Sequence, residues 1–143
     1  MLWDFANLNY IAIIIAAVAR IIIGMVWYSP AVFGNMWLNL AHRDPTDLKN
    51  VNMKVVWGFI NSFVVALILA GFIAVTSELS WLTGGEMSWW YGACVGFWAW
   101  LGFAATTMMG GVIWENKHLN LFAIHNGEMV ISYSVMGAII GSF

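Results

Sequence analysis

The chain has 143 residues, 62% of them apolar and only 8% charged, with a mean hydropathy of +0.83. Soluble domains average about 45–50% apolar and about 25% charged residues, so this composition does not fit one. Seven acidic and five basic residues leave a formal charge of −2, which excludes the clustered basic footprint of a nucleic-acid binder. A single cysteine, Cys94, permits no internal disulfide and no cysteine-based metal site.

Hydropathy predicts an all-α protein: an antiparallel bundle of four transmembrane helices in one integral membrane domain over residues 1–143. The apolar stretches run over about 10–28, 55–77, 90–113 and 119–143. A hydrocarbon core of about 30 Å takes roughly 20 helical residues, so each stretch is long enough to cross once. None alternates apolar with polar residues, as a barrel strand would. Ala17-Val18-Ala19 offers a small-x-small pattern in the first stretch. The segment before it carries Asp4 and no basic residue, so it reads as a span and not as a cleaved signal.

Basic residues in the short connections set the expected direction. Arg43, Lys49 and Lys54 lie between spans 1 and 2, and Lys117 between spans 3 and 4. The N-terminal segment, the 2–3 connection and the C-terminus carry only Asp4, Glu78 and Glu86. The 1–2 and 3–4 connections are therefore expected in the cytoplasm, with both termini outside. Trp3, Trp81, Trp89 and Trp90 fall at the outer boundary of this map; Trp27, Trp37, Trp57 and Trp114 fall at the inner one, as in an aromatic belt. Trp98 and Trp100 fall mid-span, either as packing bulk or as a stacking surface for a ligand.

After span 1, Ser29-Pro30 has the form of an N-cap followed by a first helical residue. Val32, Phe33, Met36, Trp37 and Leu40 then recur at helical spacing, which predicts a short amphipathic helix over about 30–41 in the cytoplasmic interface. Asp44-Pro45-x-Asp47 repeats the cap-and-proline pattern and predicts one more turn before span 2.

The run Trp27-Tyr28-Ser29-Pro30-x-x-Phe33-Gly34-x-x-Trp37 resembles the signature after the first helix in a family of small bacterial four-helix membrane proteins. That family is catalogued only as a domain of unknown function. Leu121-Phe122 and Met136-Gly137-Ala138-Ile139-Ile140-Gly141 resemble its closing helix. The resemblance implies a multi-pass protein of the bacterial inner membrane and carries no activity with it.

Without a hydrophobic drive between helices in lipid, association depends on close approach at small residues. Gly92-x-x-x-Gly96 and Gly137-x-x-x-Gly141 fall at matching depth near the outer boundary, within one chain or between copies. Ala12 and Ala16, with Ala66, Ala70 and Ala74, fall in the same half, so that half is expected to be closed.

The inner half carries a polar layer. At 1.5 Å per residue, Arg20 and Glu128 lie about 12–13 Å from the cytoplasmic boundary, and Asn61, Thr106, Thr107 and His125 about 9–10 Å. A mid-bilayer charge costs at least about 2.5–3.5 kcal/mol, and Arg cannot shed its proton. Glu128 is the only acidic residue inside a span, so an Arg20–Glu128 pair is expected, with snorkelling of Arg20 as the alternative. The layer is either a lock that fixes helix register or a substrate, ion or proton site. His125 and Glu128 at i, i+3 could complete a metal site only in a symmetric oligomer, and no metal or other cofactor is expected. His42 and His118 read as interfacial residues.

No nucleophile–base arrangement or phosphate-cradling loop occurs, so an enzyme is not expected. Two functions stay open. One is an oligomeric accessory or assembly protein acting through its membrane surfaces, with the bilayer and further copies of itself as expected partners and a larger membrane complex as a candidate one. The other is a transporter or channel for a small solute, ion or proton, with its site in the polar layer.

Overall fold

A computed structural model describes residues 5–43, 51–79 and 87–143, all of them in helices, turns and short connections. A 3-10 turn, Phe5–Asn7, precedes α1 (Tyr10–Trp27), which is followed by α2 (Gly34–Leu40) and α3 (Val51–Ser77). The next long helix is α4 (Trp89–Ala99), a π-helical stretch (Trp100–Ala105) and α5 (Thr106–Glu115) in unbroken succession. The chain ends in α6 (Leu119–Gly141).

Local signals account for the ends of these helices. The Asn9 side chain caps α1 by accepting from the N–H groups of Ile11 (3.1 Å) and Ala12 (3.2 Å). Ser88 does the same for α4 by accepting from Tyr91 N–H at 3.2 Å. α5 stops at Asn116, whose left-handed φ of 53° suits an asparagine C-cap, and Lys117 N–H closes the turn onto Gly111 O at 3.1 Å.

Among the described residues, three helical segments are long and apolar enough to cross a membrane: Tyr10–Trp27, Met53–Ser77 and Trp89–Glu115. The expected fourth, α6, differs in kind. Its 23 residues are long enough, at about 34 Å, but Asn120, His125, Asn126, Glu128, Ser132 and Ser134 dilute its apolar character. Those polar groups sit there because α6 is the central helix, packing against α1, α3 and α4, so much of its surface meets protein. Asn126, Glu128 and Ser132 are all buried.

The most extensive packing joins α4 to α6. A Cβ on Gly92 would collide with the carbonyl of Gly137, one on Gly137 with the carbonyl of Gly92, and one on Gly96 with the carbonyl of Tyr133. The two glycine pairs thus bring antiparallel backbones of one chain into contact, as small-residue motifs do where side chains would hold helices apart. Beside this seam, Ile13, Ala16 and Ala17 of α1 pack with Ala66, Leu69, Ala70 and Ile73 of α3 and with Met136 and Ile140 of α6. This end of the molecule is closed.

At the other end the helices separate. A Cβ on Gly24 would meet nothing within 4 Å, while one on Gly58 would be in ordinary contact with Ile21 Cδ1 of α1 at 3.4 Å, so α1 and α3 pack more openly there through a single side chain. After the π-helical stretch, α5 likewise touches α6 far less than α4 does.

Two element boundaries depart from the sequence expectation. The helix expected from residue 30 begins at Gly34, because Ser29 closes the preceding helix instead of opening the next one. Its hydroxyl donates to Val26 O at 2.7 Å, its N–H donates to the same carbonyl at 3.2 Å, and its own carbonyl takes the N–H of Gly34 at 2.9 Å. The third span is interrupted by the π-helical stretch, which the apolar run Trp100–Ala105 does not announce. The turn expected at Asp44-Pro45-x-Asp47, and Trp3 and Trp81, lie outside the described residues.

Candidate functional site

A groove of about 350 Å³ runs between α1, α3 and α6, lined by Arg20, Gly24, Tyr28, Lys54, Asn61 and Glu128. Gly24 and Gly58 make room for it, since neither projects a side chain into the gap. The sequence therefore places small residues where the helices part as well as where they meet.

Arg20 and Glu128 line this groove together, but they do not form a direct ion pair. Arg20 Nη1 donates instead to Asn61 Oδ1 at 3.1 Å, and its guanidinium lies 5.9 Å from the centre of the Tyr133 ring. Glu128, 7% exposed, accepts from the Ser132 hydroxyl at 2.5 Å, one turn further along α6. The reason is local: Asn61 on α3 reaches the half-buried guanidinium across the groove, while Ser132 holds the carboxylate back against its own helix. A guanidinium offers five N–H donors. Among the described residues its hydrogen bond to Asn61 uses one, and the cation meets a neutral amide and an aromatic face, not its counter-charge.

His125 reaches the groove indirectly. Its Nδ1 lies 2.7 Å from the Tyr28 hydroxyl, and Tyr28 lines the groove. Thr106 and Thr107 do not join it. Both are exposed and donate to carbonyls of their own helix, Thr106 to Gly102 at 2.6 Å and Thr107 to Phe103 at 2.6 Å. Depth along a span gave them the same height as Asn61. Equal depth does not fix direction, and the π-helical stretch immediately before them departs from the 3.6-residue period that sets which face a side chain takes.

The aromatic run after α1 builds one wall of the site. Trp27 Nε1 donates to Ile124 O at 3.0 Å, and its ring lies so close over Gly127 that a Cβ there would approach Cζ2 to 2.7 Å. Phe33 packs on Trp27 with ring centres 4.6 Å apart, and Trp37 meets Tyr28 edge-on at 5.7 Å. Gly34 is buried because a Cβ would press on the carbonyls of Tyr28 and Ser29. Pro30 is exposed at the turn, where its carbonyl takes the Asn35 side-chain amide at 3.2 Å. The run is a clamp that fastens the end of α1 to α6 and fixes where Tyr28 stands. Of the tryptophans assigned to an inner belt, Trp57 and Trp114 are exposed, whereas Trp27 and Trp37 are half-buried in this clamp.

Two contributors are not evident from the sequence. Lys54 reads there only as a loop charge, yet it lines the groove. Tyr133 sits one residue beyond Ser132 and supplies both the aromatic face under Arg20 and the carbonyl against Gly96. Asn126, 5% exposed, stands between His125 and Gly127-Glu128 in the polar stretch of α6 and lies outside this groove. Among the described residues, no three His, Cys, Asp or Glu side chains converge as metal ligands would.

No curated protein and no solved structure matches the chain. A family model described as "Protein of unknown function (DUF1761)" matches residues 11–141, from the first turn of α1 to the last residue of α6, and the chain belongs to that family.

Proposed function

We propose that this chain is a four-span protein of the bacterial inner membrane, both termini outside, whose α1–α3 groove binds a small anionic solute and carries it across. Support for the fourth span comes from the length and central position of α6, which buries Asn126, Glu128 and Ser132 against protein. Basic residues Arg43, Lys49, Lys54 and Lys117 support a cytoplasmic position for the open end.

One observation carries the functional reading: the groove opens onto a guanidinium that no carboxylate neutralises directly. A lock would hold Arg20 and Glu128 against one another. A binding site keeps donors available, and guanidinium favours carboxylate or phosphate groups, to which it can donate two parallel hydrogen bonds. Glu128, beside the cation but held by Ser132, tempers its attraction so that a bound anion can leave. The chain acts as a homo-oligomer in this reading and carries out no covalent chemistry.

The test uses the full chain in liposomes, with inorganic phosphate and acetate as probes of binding and flux. Binding of at least one probe is expected, weakened about tenfold or more by Arg20→Leu and only partly preserved by Arg20→Lys. The double variant Arg20→Leu with Glu128→Leu should assemble but lose flux. If that double variant assembles and neither anion is bound or moved by the parent protein, the layer is a lock, and the accessory reading replaces this one.

A further inference from the structure

A second space, independent of the Arg20 groove, opens between α5 and α6. It has a volume of about 720 Å³, and its walls include Trp100, Ala105, Gly110, Trp114, Phe122 and Asn126. Its size falls within the range of sites for drug-sized ligands. Two structural features create it. The π-helical stretch Trp100–Ala105 lies at the point where the long helix leaves the α6 seam, and π-turns of this kind recur at functional sites. Gly110 then leaves the gap open, since a Cβ there would meet only Trp114 of its own helix, at 4.0 Å.

Apart from Thr106, whose hydroxyl donates to Gly102 O at 2.6 Å, the walls are apolar except at two places. Asn126 commits its Nδ2 to Phe122 O at 3.1 Å, leaving Oδ1 buried without a partner. Trp100 Nε1 is also buried without a partner. Among the described residues three buried side-chain polar atoms are in this condition, and two of them belong to residues that line this one cleft, each atom sealed just behind its surface. Buried polar groups in folded proteins nearly always find partners, so a pair of orphans in one cleft calls for an explanation. One of the two is an acceptor and the other a donor. A hydroxyl is the simplest group that serves both, since it donates one hydrogen bond and accepts others.

We propose that the cleft binds an apolar molecule carrying a hydroxyl group, a membrane-soluble alcohol. The hydrocarbon body lies against Ala105, Phe122 and Trp114. The hydroxyl stands at the level of Asn126 and Trp100, whose side chains turn toward it on binding. Trp114, 84% exposed, stands at the rim where such a molecule enters from the surrounding apolar phase.

The experiment uses the full chain in phosphatidylcholine nanodiscs and a diazirine-bearing analogue of dodecanol as the photoreactive probe. Labelling is expected within residues 100–114 and 122–130, and unlabelled dodecanol should compete at least about ten times better than dodecane, because a site built to pair a hydroxyl rejects the analogue lacking one. Asn126→Leu should bring the two competitors to equal potency while leaving total labelling in place. Should that variant fail to fold, Trp100→Phe removes the donor alone, and the competition in the parent protein decides by itself. Equal competition by dodecane in the parent overturns the proposal, as does labelling confined to other segments. Disulfide crosslinking of two copies through Gly110→Cys, in a Cys94→Ser background, would overturn it too, because a second copy would then fill the cleft.

Discussion

Trp27 is fastened to α6 twice, through its indole N–H to Ile124 O and through its ring over Gly127. Trp27→Phe keeps an aromatic ring but loses the indole hydrogen bond to a carbonyl that the helix itself also satisfies, so it should lower stability by about 0.5–1.5 kcal/mol, read from thermal unfolding in detergent. Gly34→Ala belongs to the same clamp. Its Cβ would press on backbone, Ser29 O at 2.7 Å among others, and backbone cannot step aside as a flexible side chain can. A loss of about 1–3 kcal/mol is expected from the crowding, and an unchanged melting temperature would show that the turn relaxes freely. Both residues were visible in the sequence as parts of a recognisable run, but their partners were not. Nothing in Trp27-Tyr28 says that its counterpart is Ile124-His125, nearly a hundred positions later. The ion pair expected between Arg20 and Glu128 failed for a related reason. Charge and depth identify who needs a partner, whereas the competition from Asn61 and Ser132 is settled only when four helices take their rotations about their own axes.

At the scale of elements, the α4–α6 hairpin rests on backbone-to-backbone approach at Gly92, Gly96 and Gly137. Gly92→Leu should force the two helices apart and cost at least about 1–3 kcal/mol, with the hairpin then opening to proteolysis in detergent at lower temperature than in the parent. The same substitution at Gly102, where a Cβ would meet nothing within 4 Å, should change stability by less than about 0.5 kcal/mol. Equal effects at the two positions would contradict the seam. Spacing alone made the glycine pairs legible, because a small residue every fourth position has one dominant use in an apolar helix. The π-helical stretch was not legible. Trp100–Ala105 is apolar throughout, and no proline or polar break marks it, so the depth shared by Thr106 and Thr107 with Asn61 gives no sign that they face elsewhere.

For the molecule as a whole, the small-residue end is closed and the other end splays, with the Arg20 groove on one side of α6 and the Asn126 cleft on another. If the splayed end faces the cytoplasm, cysteines introduced singly into a Cys94→Ser background should sort by side. Lys117→Cys should resist a membrane-impermeant maleimide in intact cells, and Phe143→Cys should react. The reverse pattern would turn the groove outward and exchange the side from which a solute enters.

Residue order by itself determined that the chain is helical, that most of its surface is apolar, which positions let helices touch, and which polar groups sit at one depth. Each of these follows from quantities that accumulate along a single helix: length, hydropathy and period. The tertiary structure alone decided that α6 stands at the centre, that Arg20 faces an amide instead of a carboxylate, and that two spaces open where helices part. Those outcomes depend on how separate helices rotate and tilt against one another, and a partner's orientation leaves no trace in the residues that will meet it.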